Sequence, residues 1–240
     1  MGMKILVRRT AAWMAATAAM LAIAPAPAQA VDTYANYADL ATHETLGVDY
    51  RIRITNRHTD IVIATPHGGG IEAGTSELVR AVAGEEEPGA DWTEYRFEGI
   101  KSSGNSVLHI TAGNFDEPWC LWLIGRTSLA VVIHGASGSS PISYVGGRDT
   151  LVRDRVIAAL TAAGFNAQIA TGGLAGTDPT NIANRTNTGA GVQIEITTAQ
   201  RDSFFGTNTA AGRWNTRTAT FESYVAAVRT AVAVDTVTLG

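Results

Sequence analysis

The sequence predicts an α/β fold: a mixed, mostly parallel sheet flanked by helices. Two apolar runs, Ile61–Ala64 and Leu129–Ile133, read as buried central strands, and each passes directly into a glycine-rich loop that carries a histidine. Strand-like segments alternate along the chain with segments whose apolar residues recur at helical spacing, the pattern of a sheet covered on both faces. After the N-terminal leader about 210 residues remain, with no repeat or low-complexity linker, enough for one domain with its own core.

In chain order, the first 30 residues hold Lys4, Arg8 and Arg9 and no acid, then an apolar run from Ala11 to Ala24, then Ala28-Gln-Ala30. This is the layout of a secretory signal peptide with a small-x-small cleavage site, so residues 1–30 are expected to be removed, leaving 31–240 as a single secreted domain. The run is short for a membrane span and ends at Pro25 and Pro27, which argues against a retained anchor. Taking the leader's three basic residues from 18 leaves 15 against 22 acidic ones, a net charge of −7. A nucleic-acid partner does not fit that balance. Cys120 is the single cysteine, and its neighbours Trp119, Leu121 and Trp122 mark it as a buried, inert thiol.

Arg51–Thr55 alternates Ile52 and Ile54 with charged or polar residues, as a half-buried strand does. After a tight turn comes the strand Ile61–Thr65, ended by Pro66, which has no N–H to donate. A helix is expected between Gly74 and Gly84 with Thr75 as N-cap, then an acidic surface loop over Glu85–Ala90. Thr93–Phe97 and Ser106–Thr111 read as strands around a turn at Ser102–Asn105, and Asp116 as the cap of a short helix carrying Trp119–Ile124. Beyond the strand Leu129–Ile133, the spacing of Leu151, Val152, Val156, Ala159 and Leu160 predicts a helix over Arg148–Ala163, stopped by Gly164. Asn166–Ala170 and Gly191–Thr197 are further strands, and Phe221–Val234 is a closing helix.

Ligands in such sheets gather where loops leave the strand ends. His67 and His134 lie one or two residues beyond the two central strands, and Glu72 follows His67 across Gly68-Gly69-Gly70, whose freedom lets the backbone turn tightly. Two imidazoles and one carboxylate with a fourth position open to water form the ligand set of a hydrolytic zinc ion. The spacing also suits loop histidines bonded to backbone; the flanking glycines favour the metal, because a ligand cluster needs backbone close to the substrate. His43 and His58 lie in polar segments and are expected to be solvated, whereas His109, between Leu108 and Ile110, is expected to be structural.

Within Gly191–Thr197, Val192, Ile194 and Ile196 share one face while Gln193 and Glu195 share the other. A carboxylate there is costly unless paired, beside a metal or open to a cleft, so Glu195 is expected to be the general base and later general acid. The alternative is an edge-strand glutamate facing water. Arg185, in a polar loop, suits bidentate binding of a substrate carboxylate, although a surface role fits the same residues; Tyr144 and Arg148 are weaker candidates.

Several strings together resemble the phage-type poly-γ-glutamate hydrolases: Thr65-Pro-His-Gly-Gly-Gly-Ile-Glu72, Gly74-Thr-Ser-Glu77, Leu108-His-Ile-Thr111, Phe115-Asp-Glu-Pro118, Ile133-His-Gly135 and Gln193-Ile-Glu195. The likeness covers nearly all of the chain after the leader. It implies a zinc-carboxypeptidase-like α/β fold, one zinc ion held by His67, Glu72 and His134, and Glu195 as the catalytic carboxylate. In carboxypeptidases an Asn-Arg pair precedes the last histidine ligand, whereas here Asn184-Arg185 follows His134.

The expected function is therefore a secreted, monomeric zinc amidohydrolase that cleaves γ-glutamyl amide bonds, with polyanionic poly-γ-glutamate as substrate and metal-activated water as nucleophile. The same machinery suits another γ-linked or cell-wall peptide, and a binding protein on the same fold is the non-catalytic alternative. A polyanion gains no long-range steering from a net charge of −7, so recognition falls to local arginines and the metal.

Overall fold

The computed structural model describes residues 31–84 and 91–238 together with Met1. The signal peptide expected at the N-terminus and the loop expected over Glu85–Ala90 lie outside the described residues. Seven strands form one sheet: β1 (Tyr50–Thr55), β2 (Ile61–Gly69), β3 (Thr93–Gly99), β4 (Leu129–Ala136), β5 (Ser143–Gly147), β6 (Ala167–Ile169) and β7 (Val192–Thr197). Their order across the sheet is β1-β3-β2-β4-β7-β5-β6. The central four, β3-β2-β4-β7, are mutually parallel, β1 and β5 join them antiparallel, and β6 runs parallel to β5. The helices are α1 (Tyr37–His43), α2 (Thr75–Ala83), α3 (Pro118–Ile124), α4 (Thr150–Ala162), α5 (Thr198–Asp202) and α6 (Ala219–Thr238).

Apolar residues on both sides of a strand bury it twice. Ile61 and Ile63 of β2 and Val131 and Ile133 of β4 pack with α2, α4 and α6 in one core. Their neighbours Val62, Ala64, Ala130 and Val132 face the other way, into a core with Leu40 of α1, Tyr95 and Phe97 of β3 and Ile124 of α3. This period of two sorts each central strand between two cores, as the unbroken apolar runs require. On β7 only one side follows suit. Val192, Ile194 and Ile196 enter the first core, whereas Gln193 and Glu195 occupy the opposite face.

Several expected elements differ in detail. Ser106–Thr111 is no strand: Asn105–Leu108 is a 3₁₀ turn, and the alternate burial of Leu108 and Ile110 comes from packing into the second core. β1 already occupies the free edge of β3, so no ladder is left for that segment to join. Glu117 rather than Asp116 caps α3, accepting from the Trp119 and Cys120 N–H groups, with Pro118 at the first turn, while Asp116 accepts from Tyr37 N–H at 2.8 Å. Gly74, not Thr75, is the N-cap of α2, and its φ of 100° is a conformation that favours glycine. β5, α1 and α5 have no counterpart among the expected elements; β5 is Ser-Tyr-Val-Gly-Gly, too glycine-rich to read as a strand. Cys120 is buried, as expected, and burial pushes its thiol far above the usual range.

Candidate active site

A one-residue irregularity in β2 builds the first half of the site. Thr65 pairs with Arg96 and Gly68 with Glu98, so β2 advances three residues while β3 advances two. Thr65 and Gly68 consequently both face α2, where Thr65 Oγ1 donates to Thr75 Oγ1 at 3.3 Å and Gly68 lies against Ser76. The extra residue reverses the alternation and turns His67 toward the opposite face. There its ring Nε2 meets the Ile110 carbonyl at 2.8 Å. A carbonyl only accepts, so Nε2 carries a proton and Nδ1 is the ring atom turned toward the other candidate ligands.

Around His67 Nδ1 the ligand atoms converge. Glu72 Oε1 and His134 Nδ1 each lie 3.1 Å from it, and one ligand atom from each of the three residues falls within 4.8 Å of the others. The second carboxylate oxygen of Glu72 accepts the Gly135 N–H at 2.6 Å, which fixes its orientation. Both histidines are 2 % exposed. Burial, then the neighbouring His67, pushes His134 down to about 3 and holds it neutral. Burial works against the Glu72 carboxylate, but His67 outweighs it and brings the group to about 2. A neutral imidazole and an ionised carboxylate are the forms that bind metal; His67, whose own pKa burial lowers but Glu72 raises more, would give up its Nδ1 proton when the ion binds. With Nδ1 turned inward, the buried Nε2 of His134 has no hydrogen-bond partner among the described residues. The donor set of two buried nitrogens and one half-buried oxygen, with His67 and Glu72 held by outer hydrogen bonds, fits a zinc ion.

Strand pairing brings a further carboxylate beside this cluster. His134 of β4 stands in register with Glu195 of β7, and both occupy the face that also carries Ala130 and Val132. Gln193, two residues back, donates from Nε2 to Glu195 Oε1 at 2.8 Å, and its own Oε1 accepts from Asn181 Nδ2 at 2.7 Å. Asn181 thereby fixes which end of the Gln193 amide faces Glu195. Burial and then the Glu72 charge push Glu195 up to about 8, into the range where a carboxylate can exchange protons near neutral pH. A divalent cation beside it would lower that value. All four residues line a cleft of about 640 Å³.

Two expectations about the surroundings need correction. His109 is not merely structural: its ring stacks on His67 at 4.0 Å, its Nδ1 lies 2.9 Å from Asp32 Oδ1, and its Nε2 is 3.8 Å from Glu72 Oε1 at the cleft wall. The alternation with Leu108 and Ile110 was a true burial signal, but the buried space proved to be the site. Arg185 lies outside the cleft, exposed after the 3₁₀ turn Ile182–Asn184. Asn184 takes the buried place, donating to the Gly176 and Asp178 carbonyls and accepting from Arg148 and Gly191, so the next side chain points away. Arg148 is exposed and Tyr144 half-buried, and neither lines the cleft. The arginine that does line it is Arg201 of α5, which nothing in its local sequence announces. His43 and His58 are exposed, as expected.

The fold is of the zinc-carboxypeptidase-like α/β class, and its cleft holds a candidate metal cluster. Residues 34–227 match the family described as poly-gamma-glutamate hydrolase, and the chain belongs to that family. It is 41 % identical over 199 residues to the SPbeta prophage-derived UPF0714 protein YoqZ of Bacillus subtilis (strain 168), covering 82 % of this chain and 70 % of that protein. To the UPF0714 protein YmaC of the same organism it is 38 % identical over 208 residues, or 85 % of this chain and 86 % of YmaC. The solved structure of a bacteriophage poly-gamma-glutamate hydrolase superposes with a TM-score of 0.81 at 37 % identity, covering 88 % of this chain and all of that one. A zinc-free apo structure of YNDL superposes with a TM-score of 0.79 at 34 % identity, covering 85 % and 98 %.

Proposed function

We propose that this protein is an exported, zinc-dependent amidohydrolase that cleaves the γ-glutamyl amide bonds of poly-γ-glutamate, with one zinc ion held by His67, Glu72 and His134. The observation that carries the reading is the register of β4 with β7, which sets Glu195 beside the only three-residue ligand cluster among the described residues. The zinc-free description of the YNDL structure supports the choice of metal, and the phage hydrolase supports the substrate class. When bound, zinc supplies electrophilic polarisation of the scissile carbonyl and makes water acidic enough to attack near neutral pH. Glu195, oriented by Gln193, takes the proton from the attacking water and delivers it to the departing amide nitrogen. His67 and Glu72 stay fixed through Ile110 and Gly135, so the cluster needs little rearrangement. Export rests on the leader's charge and hydropathy pattern.

One observation favours a second reading within the same chemistry. Of the charged cleft residues, Glu72, Asp178 and Glu195 face a single arginine, Arg201, which offers a long polyanion little attraction apart from the metal. A shorter γ-linked peptide, such as a cell-wall stem peptide, asks less of that charge balance. Metal content of the purified protein, paired with polymer chain-length analysis with and without chelator, tests both. One equivalent of zinc with chelator-sensitive shortening supports the first reading; bound zinc without shortening moves the substrate to the second. Glu195→Gln is expected to lower kcat by about 10²–10⁴ while still binding zinc. Full activity in that variant would remove Glu195 from the mechanism.

A further inference from the structure

We propose that Arg201 is a positioning residue that ties the segments bearing the metal ligands to the strand bearing the base; this rests on the metallohydrolase reading above. Its guanidinium donates in three directions. Nε reaches the Ile196 carbonyl at 3.0 Å, Nη1 the Ala73 carbonyl at 2.7 Å, and Nη2 the Ala136 carbonyl at 3.3 Å, with Thr198 Oγ1 at 3.4 Å. Ile196 follows Glu195, Ala73 follows Glu72, and Ala136 lies two residues beyond His134. One planar group thus holds three segments that come from β7, the β2–α2 loop and β4.

Gly135 makes this possible. A Cβ there would stand 2.7 Å from Arg201 Cζ, so only glycine lets the guanidinium lie flat against β4. The same Gly135 presents its N–H to Glu72 Oε2, and Arg201, Gly135 and Glu72 therefore interlock. Lysine cannot replace the arginine, because an ammonium is a point charge on a flexible stem and cannot match three carbonyls around a plane. Arg201 is 8 % exposed and its acceptors are uncharged, so its own positive charge is retained beside Glu72 and Glu195.

The test compares wild type, Arg201→Lys, Arg201→Ala and Gly135→Ala. Zinc affinity is measured by competition with a chromogenic chelator in the absence of substrate, and kcat and KM on poly-γ-glutamate at saturating zinc. All three variants are expected to bind zinc at least about tenfold more weakly, the usual scale for losing an outer partner of a metal site. At saturating zinc kcat is expected to fall by about tenfold or more with KM within about twofold. Added guanidinium ion, but not methylammonium, should recover part of the zinc affinity of Arg201→Ala. If Arg201→Ala does not fold, Arg201→Lys and Gly135→Ala, which disturb the contact from opposite sides, decide the matter. Unchanged zinc affinity in those two variants overturns the proposal, and a raised KM with unchanged affinity and kcat makes Arg201 a substrate contact instead. Wild type that binds zinc without shortening the polymer sinks the substrate reading and leaves the zinc comparison standing, whereas wild type that binds no zinc overturns both.

Discussion

In the proposed mechanism Glu195 acts as a base only while its carboxylate is ionised and correctly oriented, and the hydrogen bond from Gln193 favours both. The bond favours the charged form, opposing the burial and the Glu72 charge that push the group up. Gln193→Leu should therefore raise the Glu195 pKa further. The base is then protonated over a wider range, and the acidic limb of the kcat/KM profile should move to higher pH. At neutral pH the loss should be about tenfold, or roughly 1.4 kcal/mol in the barrier. A profile that keeps its acidic limb in place would show that Gln193 does not act on Glu195. The cleft residues that local sequence does not assign to the site, His109 and Arg201, share a cause: each is held there by contacts formed far away along the chain. His109 was visible as a buried position. Arg201 had no signal at all in its neighbours Gln200 and Asp202.

At the scale of elements, apolar spacing sorts residues by burial, but it does not say which members of a stripe reach the core. Leu78 of α2 and Leu151 of α4 illustrate the difference. Leu78 is fully buried in the first core, while Leu151, which shares the helical spacing of Val152 and Val156, is 69 % exposed. Leu78→Ala should cost about 2–5 kcal/mol by leaving a cavity, and Leu151→Ala within about 0.5 kcal/mol, both read from denaturant midpoints. Equal losses would contradict the packing described here. The irregularity in β2 acts at the same scale. One extra residue moves His67 from the α2 side to the cleft, a change that the run Thr65-Pro-His-Gly does not reveal by alternation.

For the whole molecule, stability should depend on metal and on acid. A ligand that binds only the folded chain stabilises it by about 4 kcal/mol at a thousand times its Kd, so zinc at that excess should raise Tm by roughly 10 °C over chelated protein. No shift would mean that the His67, Glu72 and His134 cluster is not a metal site. Acid acts through Glu98, which is buried in the sheet. Burial alone would push its carboxyl up, but the Arg96 and Arg51 guanidiniums outweigh it and hold the group below its ordinary value of 4.5. A depressed carboxylate contributes stability that is present above its unfolded pKa and lost as pH falls through the folded one. Glu98→Gln should be less stable than wild type at neutral pH and lose less on acidification from about pH 5 to about pH 3. Parallel acid curves would assign the acid loss to other groups.

By itself the sequence determined the α/β class, the two central strands and the side of β7 that carries Glu195, whereas the strands run on past the ends it suggested, through His67 to Gly69 and through His134 to Ala136. What it determined follows from local periodicity and from residues such as proline and glycine, whose backbone limits act within a few positions. Tertiary structure alone decided that β4 lies between β2 and β7, that His67 swings onto the face of His134, and that Arg201 rather than Arg185 reaches the cleft. The physical reason is that burial of an alternating or continuous apolar run is encoded along the chain, whereas strand neighbours and hydrogen bonds between segments more than a hundred residues apart, such as Arg201 to Ala73, are selected by how the whole sheet and its two cores pack.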